Sequence, residues 1–282
     1  MKVLRLAILA GALVPMLFAA NKTDVEYGQA AGESLKLDLA VPDGPGLFPA
    51  VILVHGGGWT AGDKSGGPKK GYMAPMQDPL TAAGYAWFSI NYRLGPKFHH
   101  PAPAEDLETA IRWVKAHAAE YHIDPRRIAI AGESAGGQIV SFVAMRAHGD
   151  TSIAATMIFY GPSDLVAETK KRGELSPSYS AFVGRNTLDD QTLKLLHDAS
   201  PINFVKAGLP PFLLVHGTAD QSVSFEQSVN LQARLKAVGV PCELIAIKDG
   251  PHGMLPWPPL MPDFKDRVVA WLVKTMPPGG AR

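Results

Sequence analysis

The sequence predicts an α/β fold: a mostly parallel, twisted sheet with helices on both faces. Three observations lead there. Short apolar runs alternate with longer segments of helical periodicity along most of the chain, the pattern of repeated strand–helix units. Those runs are apolar at nearly every position, as in strands covered on both sides. Between one such run and one such helix stands Gly132-Glu133-Ser134-Ala135-Gly136. The 282 residues, 46% hydrophobic and 19% charged, suit one large domain, and α/β domains of this length commonly stay single.

The N-terminus comes first. Met1-Lys2-Val3-Leu4-Arg5 is a short basic start, Leu6 to Phe18 an apolar run, and Ala19-Ala20 a pair of small residues before polar Asn21. That layout predicts a secretory signal peptide over residues 1–20 and export to the periplasm or beyond. The run is short and Pro15 interrupts it, which argues against stable membrane insertion. Residues 21–282 then form the mature domain. Without Lys2 and Arg5 it carries 25 basic against 26 acidic residues, a balance that calls for neither nucleic acid nor an anionic membrane. Cys242 is the lone cysteine, so an intramolecular disulfide and a thiolate zinc cluster are excluded. It reads as a small apolar side chain in a strand.

Val25 to Leu39, with Leu35, Leu37 and Leu39 alternating, predicts antiparallel strands at one edge. Strands buried on both faces are expected over 50–54, 85–90, 127–131, 154–160, 212–215 and 244–247. Helices are expected over 104–117, 137–147, 225–238 and 264–276. In the first, Leu107, Ile111 and Val114 recur at the helical interval. One connection, 162–204, is longer than usual between two buried strands. It contains a helical stretch over 188–197, and reads either as a small lid over a pocket or as a surface excursion with one packed helix.

A Gly-x-Ser-x-Gly between strand and helix is a nucleophile elbow, a turn too tight for bulky neighbours. Ser134 is therefore the candidate nucleophile. A serine hydroxyl needs a base, and the base needs a third group to orient it. The histidines after it are His148, His197, His216 and His252. His252 follows the last strand, at the carboxyl edge where ligands bind in parallel sheets, and is the candidate base. His216 precedes every acid available in its loop and reads as structural. His148 and His197 read as helix-terminal and exposed. Asp220, in the loop after the penultimate strand, is the candidate acid that fixes the His252 tautomer. Asp164 is its competitor, and Asp249 suits a turn.

Acyl transfer also needs donors for an oxyanion. His55-Gly56-Gly57-Gly58-Trp59 follows a buried strand and matches a glycine-rich oxyanion loop. Gly57, Gly58 and Ala135 are the candidate donors, with His55 organising the loop. No Gly-Lys-Ser/Thr stands where a phosphate-binding loop requires it. Trp59, Phe98, Met254 and Trp257 are the candidate substrate-binding residues.

These motifs, with Asn91-Tyr92-Arg93-Leu94, Pro101 to Asp106, Asp124 to Ile128, His216 to Asp220 and His252-Gly253, resemble the α/β-hydrolase superfamily. The narrower likeness is to hormone-sensitive-lipase-like esterases and bacterial acetylxylan/feruloyl esterase-like proteins. The resemblance spans about Val25 to Met276. It implies an α/β-hydrolase fold, a Ser134–Asp220–His252 triad, no metal or organic cofactor, and a structural Arg93–Asp106 pair. The short region before Val51 implies little or no N-terminal cap. The expected activity is hydrolysis of short-chain acyl or phenolic esters through an acyl-enzyme, on small-molecule or carbohydrate esters including those of plant polysaccharides. Two alternatives share these features: an amide hydrolase resembling kynurenine formamidase, and a non-catalytic binding protein on the same fold.

Overall fold

Ala31 and Gly32 both take positive φ, 50° and 81°, the geometry of a two-residue hairpin turn whose twist suits its strands. They join β1 (Ala20–Ala30) to β2 (Glu33–Val41), with Ala30 opposite Glu33. The computed structural model describes residues 20–69 and 71–279, so the predicted signal peptide, apart from Ala20, lies outside the described residues. After the hairpin come β3 (Phe48–Val54), α1 (Gln77–Ala82), β4 (Ala86–Ile90), α2 (Ala102–Ala116) and β5 (Ile123–Glu133). Then follow α3 (Ala135–Arg146), β6 (Ala155–Phe159), α4 (Leu165–Arg172), α5 (Pro177–Val183) and α6 (Asp190–Asp198). The chain continues with β7 (Phe212–Gly217), α7 (Glu226–Ala237), β8 (Cys242–Ile247) and α8 (Phe264–Thr275). Among the described residues no helix precedes β3, and none is long and apolar enough to cross a membrane.

The eight strands form one sheet in the order β1-β2-β4-β3-β5-β6-β7-β8. β1, β2 and β4 pair antiparallel, and every other neighbour is parallel. This is the α/β-hydrolase fold. From β3 the chain moves to β4 on one side, then to β5 on the other. The order therefore reverses between β3 and β5, and open parallel sheets bind ligands at such a switch point. Register makes the point usable: Val54 lies opposite Gly132, and Glu133 opposite Phe159. The loops leaving β3, β5 and β6 thus start at one level.

Successive residues of the central strands bury alternate faces. Ile52, Val54, Ile130 and Ile158 meet α2, α3 and α7, whereas Val51, Leu53, Ala131 and Phe159 meet α1 and α8. Each of these strand side chains is at most 1% exposed, and burying one of the valines, leucines, isoleucines or phenylalanines stabilises the fold by about 1.5–3 kcal/mol before conformational entropy is counted.

Two sequence expectations need correction, and one element went unannounced. β8 is not buried on both faces: Cys242 and Ile247 are buried, Glu243 and Ala246 exposed, Leu244 and Ile245 half-buried. As the edge strand it has a neighbour on one side only. α1 and the 3-10 turn before it (Ala74–Met76) carry too few periodic residues to announce a helix. The 162–204 connection holds three helices and a 3-10 turn (Pro201–Phe204), not one helix. Three of its helices begin on side-chain caps: Asp164 accepts from Ala167 N–H, Ser176 from Tyr179 N–H, and Asp189 from Thr192 N–H. Such caps satisfy N–H groups that a short helix leaves free.

Candidate active site

Ser134 sits between β5 and α3 with φ 51° and ψ −119°, a sparsely populated conformation costing about 1–3 kcal/mol unless the surroundings enforce it. They do. Ser134 N–H donates to Phe159 O at 2.9 Å, and Gln138 N–H donates to Ser134 O at 3.1 Å. A side chain at Gly136 would place Cβ 2.3 Å from Val54 O and 2.5 Å from His55 O. α3 therefore starts in contact with the β3 loop, which turns the serine outward.

His252 Nε2 lies 3.0 Å from Ser134 Oγ, and His252 Nδ1 lies 2.7 Å from Asp220 Oδ2. The three side chains come from loops after β5, β7 and β8. The other carboxylate oxygen of Asp220 accepts Ser222 N–H at 2.8 Å and Val223 N–H at 2.9 Å. Burial alone would raise the Asp220 carboxyl. Hydrogen bonds from His216 and His252, the nearby His252 charge and Val223 N–H outweigh it and hold the group well below the usual carboxylate range. A buried, ionised acid behind a partly exposed imidazole is the polarity that favours Nδ1–H and leaves Nε2 free to take a proton.

The other sequence candidates fall elsewhere. Asp164 caps α4. Asp249 is a turn residue with φ 57°. His216 is fully buried, its Nδ1 2.8 Å from Ser228 Oγ and its Nε2 3.0 Å from Val223 O. That Nε2 also lies 3.2 Å from Asp220 Oδ2, so His216 holds the acid from behind. His148 and His197 lie at the 3-10 turn Gly149–Thr151 and in the last turn of α6.

In the β3 loop Gly57 and Gly58 take φ 99° and 61°. Among the described residues neither N–H is hydrogen-bonded within the protein, and both residues line the same cavity as Ser134 and Ala135. His55 packs beneath, its ring stacked on Tyr92 at 4.4 Å with its Nδ1–H donated to Gly56 O at 2.8 Å. Burial pushes His55 down to about 4, so it is neutral at physiological pH. The resemblance-implied Arg93–Asp106 pair is present, Nη2 to Oδ1 at 2.8 Å.

The cavity measures about 760 Å³. Trp59 and Met254 line it. Trp59 Nε1–H donates to Gln138 Oε1 at 3.1 Å, and the ring stacks on Phe182 at 4.3 Å. Phe98 and Trp257 do not line it, contrary to expectation. Phe98 faces the N-terminal hairpin, with Arg93 and Lys97 5.6 and 5.1 Å from its ring centroid. Trp257 is fully buried, donates Nε1–H to Pro251 O at 2.9 Å and sets its ring edge-on to Tyr160 at 5.2 Å. It braces the His252 loop from the core side, and its neighbours Leu255 and Pro256 reach the cavity mouth instead.

Residues 172–179 form one cavity wall, through Arg172, Ser176, Pro177, Ser178 and Tyr179. Sequence reasoning also passed over Glu133 and Tyr160. Glu133 offered a signal, since a carboxylate within an elbow at the end of a buried strand has little access to water. Tyr160 directly follows β6 with φ 40°, and nothing local announces that.

Comparison with known proteins agrees with this architecture. Esterase LipQ of Mycobacterium tuberculosis is 32% identical over 234 residues, 79% of this chain and 54% of that protein. The chain thus spans about half the length of the curated relatives it matches. A truncated carbohydrate esterase from gut microbiota superposes with a TM-score of 0.78 at 26% identity, covering 93% of this chain and 98% of that one. An acetyl ester-xyloside bifunctional hydrolase from Caldicellulosiruptor lactoaceticus gives 0.77 at 25% identity, covering 91% and 97%. The BD-FAE family model matches residues 37–235. That span runs from the second strand into α7, well over half the sequence, and the chain belongs to the BD-FAE family within the α/β-hydrolase superfamily.

Proposed function

We propose that this protein is an exported serine carboxylesterase acting on short acyl or phenolic esters, including those carried by plant polysaccharides. The observation that carries the reading is the continuous hydrogen-bond chain from Ser134 Oγ through His252 to Asp220 Oδ2, at 3.0 and 2.7 Å. Ser134 Oγ attacks the ester carbonyl carbon while His252 Nε2 takes its proton. The carbonyl oxygen becomes an oxyanion beside the N–H groups of Gly57, Gly58 and Ala135, whose charge stabilisation is worth roughly 3–4 kcal/mol per donor. His252 then delivers its proton to the leaving alkoxide. Water, deprotonated by the same imidazole, releases the acid and restores Ser134.

The mixed lining supports small acyl groups and polar alcohols alike: Trp59, Tyr179 and Met254 beside Ser176, Ser178 and Gln221. The carbohydrate and xyloside esterases named above support the polysaccharide element. A panel of acetylated xylan, methyl ferulate, p-nitrophenyl butyrate and N-formylkynurenine tests it. Turnover of the esters at least about tenfold above that of the formyl amide is expected, a difference of about 1.4 kcal/mol in transition-state stabilisation. Preference for N-formylkynurenine sinks the ester reading. The basic start, apolar run and Ala19-Ala20 support export. Sequencing the N-terminus of the protein recovered outside the cytoplasm should find Ala20 or Asn21, and an intact Met1 there would overturn signal cleavage.

A further inference from the structure

Glu133, the second residue of the elbow, is 4% exposed and has no part in the scheme above. Its carboxylate accepts Gly56 N–H, at the root of the glycine loop. The Tyr160 hydroxyl acts on the same carboxylate and favours its ionised form. Tyr160 in turn sets its ring edge-on to His252 at 4.8 Å. A side chain at position 56 would place Cβ 2.2 Å from Glu133 Oε1, so that glycine exists to let the carboxylate in. One buried acid thus contacts the donor loop directly and the His252 loop through Tyr160.

We propose that Glu133, tied to Tyr160, is a positioning residue for the esterase chemistry. Its carboxylate holds the glycine loop against the elbow, and its negative charge stabilises the His252 imidazolium formed in the transition state. The inference rests on the esterase reading and deepens it.

The charge depends on pH. Burial pushes the Glu133 carboxyl up to about 7, against the opposing effects of Gly56 N–H, the attraction of His252 and the Tyr160 hydroxyl. The groups acting on it are Tyr92 after β4, Tyr160 just after β6 and His252 after β8, with His55 stacked on Tyr92. Tyr72 lines the cavity with its ring 5.8 Å from that of His55, and Asp220 lies behind His252. Burial holds His55 near 4 and raises Tyr92 and Tyr160 far above the ordinary phenol range, while Asp220 is held low. Those four keep one charge state across the working range, whereas Glu133 gains its charge as pH rises through neutrality.

Glu133→Gln keeps an acceptor for Gly56 N–H and removes the charge. With p-nitrophenyl acetate, kcat of the wild type should exceed that of E133Q about tenfold above pH ~8, with KM little changed. Near pH ~6 only about a tenth of Glu133 is ionised, so the ratio should close to about twofold. Tyr160→Phe keeps the ring against His252 and deletes the hydroxyl that favours ionised Glu133. In Y160F the rise of kcat with pH should move to higher pH, and this variant carries the test if E133Q fails to fold by circular dichroism. A fluorophosphonate probe repeats the comparison, since its capture by Ser134 uses the same donors and base without a particular substrate. Capture by the wild type with a pH-independent wild-type-to-E133Q ratio overturns this inference alone. No capture and no ester turnover by the wild type overturn it together with the esterase reading.

Discussion

Ser134→Ala lowers kcat for p-nitrophenyl acetate by roughly 10⁴–10⁶-fold and leaves a small residual rate over water. Only the hydroxyl is lost. Gly57, Gly58 and Ala135 still present their N–H groups, so binding and oxyanion stabilisation survive in part. The fold should survive as well. Among the described residues Ser134 Oγ bonds only to His252 Nε2, whereas the strained φ of 51° is enforced by backbone contacts that alanine shares. The stability change is therefore expected within about 0.5 kcal/mol. Steady-state hydrolysis with a melting curve as control decides the matter. Wild-type turnover by the alanine variant would end the triad reading.

Asp220→Asn should cost about 10⁴-fold in kcat, and the structure says why. Oδ1 is fixed by two N–H donors, from Ser222 and Val223 at 2.8 and 2.9 Å. The asparagine carbonyl oxygen must take that place, so its NH2 points at His252 Nδ1. An NH2 facing Nδ1 favours the tautomer with the proton on Nε2. That nitrogen then faces Ser134 Oγ as a donor and has no lone pair for the serine proton. His216 keeps Val223 O at 3.0 Å, which limits the structural damage. The measurement is kcat with the melting temperature beside it. A variant within about tenfold of wild type would remove Asp220 from the role of orienting acid.

Much of this was legible in the chain because the relevant physics is local. A serine turned out of a strand into a helix needs small residues beside it in sequence, and Gly132 to Gly137 supplies them. The β3 loop needs glycines where φ is positive, and Gly57-Gly58 occur as a pair. The alternation of strands and helices, and the side of the sheet on which its loops emerge, follow from periodicity and connection. Asp220 and His252 could be placed in loops at one sheet edge on that ground. Phe98 and Trp257 could not be resolved the same way. In irregular segments no period says which way a ring points, and Met254 and Trp257, three residues apart, turn to the cavity and to the core respectively.

The sequence by itself determined the α/β class, the elbow, the glycine loop and the chain order of serine, acid and histidine, because each is written in neighbouring residues or in a repeating interval. Tertiary structure decided what those elements meet. β3 beside β5 brings the glycine loop to the elbow, and the end of β6 sets Tyr160 between Glu133 and His252. Residues 172–179 of the long connection become a wall of the cavity. Contacts between residues far apart in sequence arise from strand order and register, which the collapse of the whole core selects.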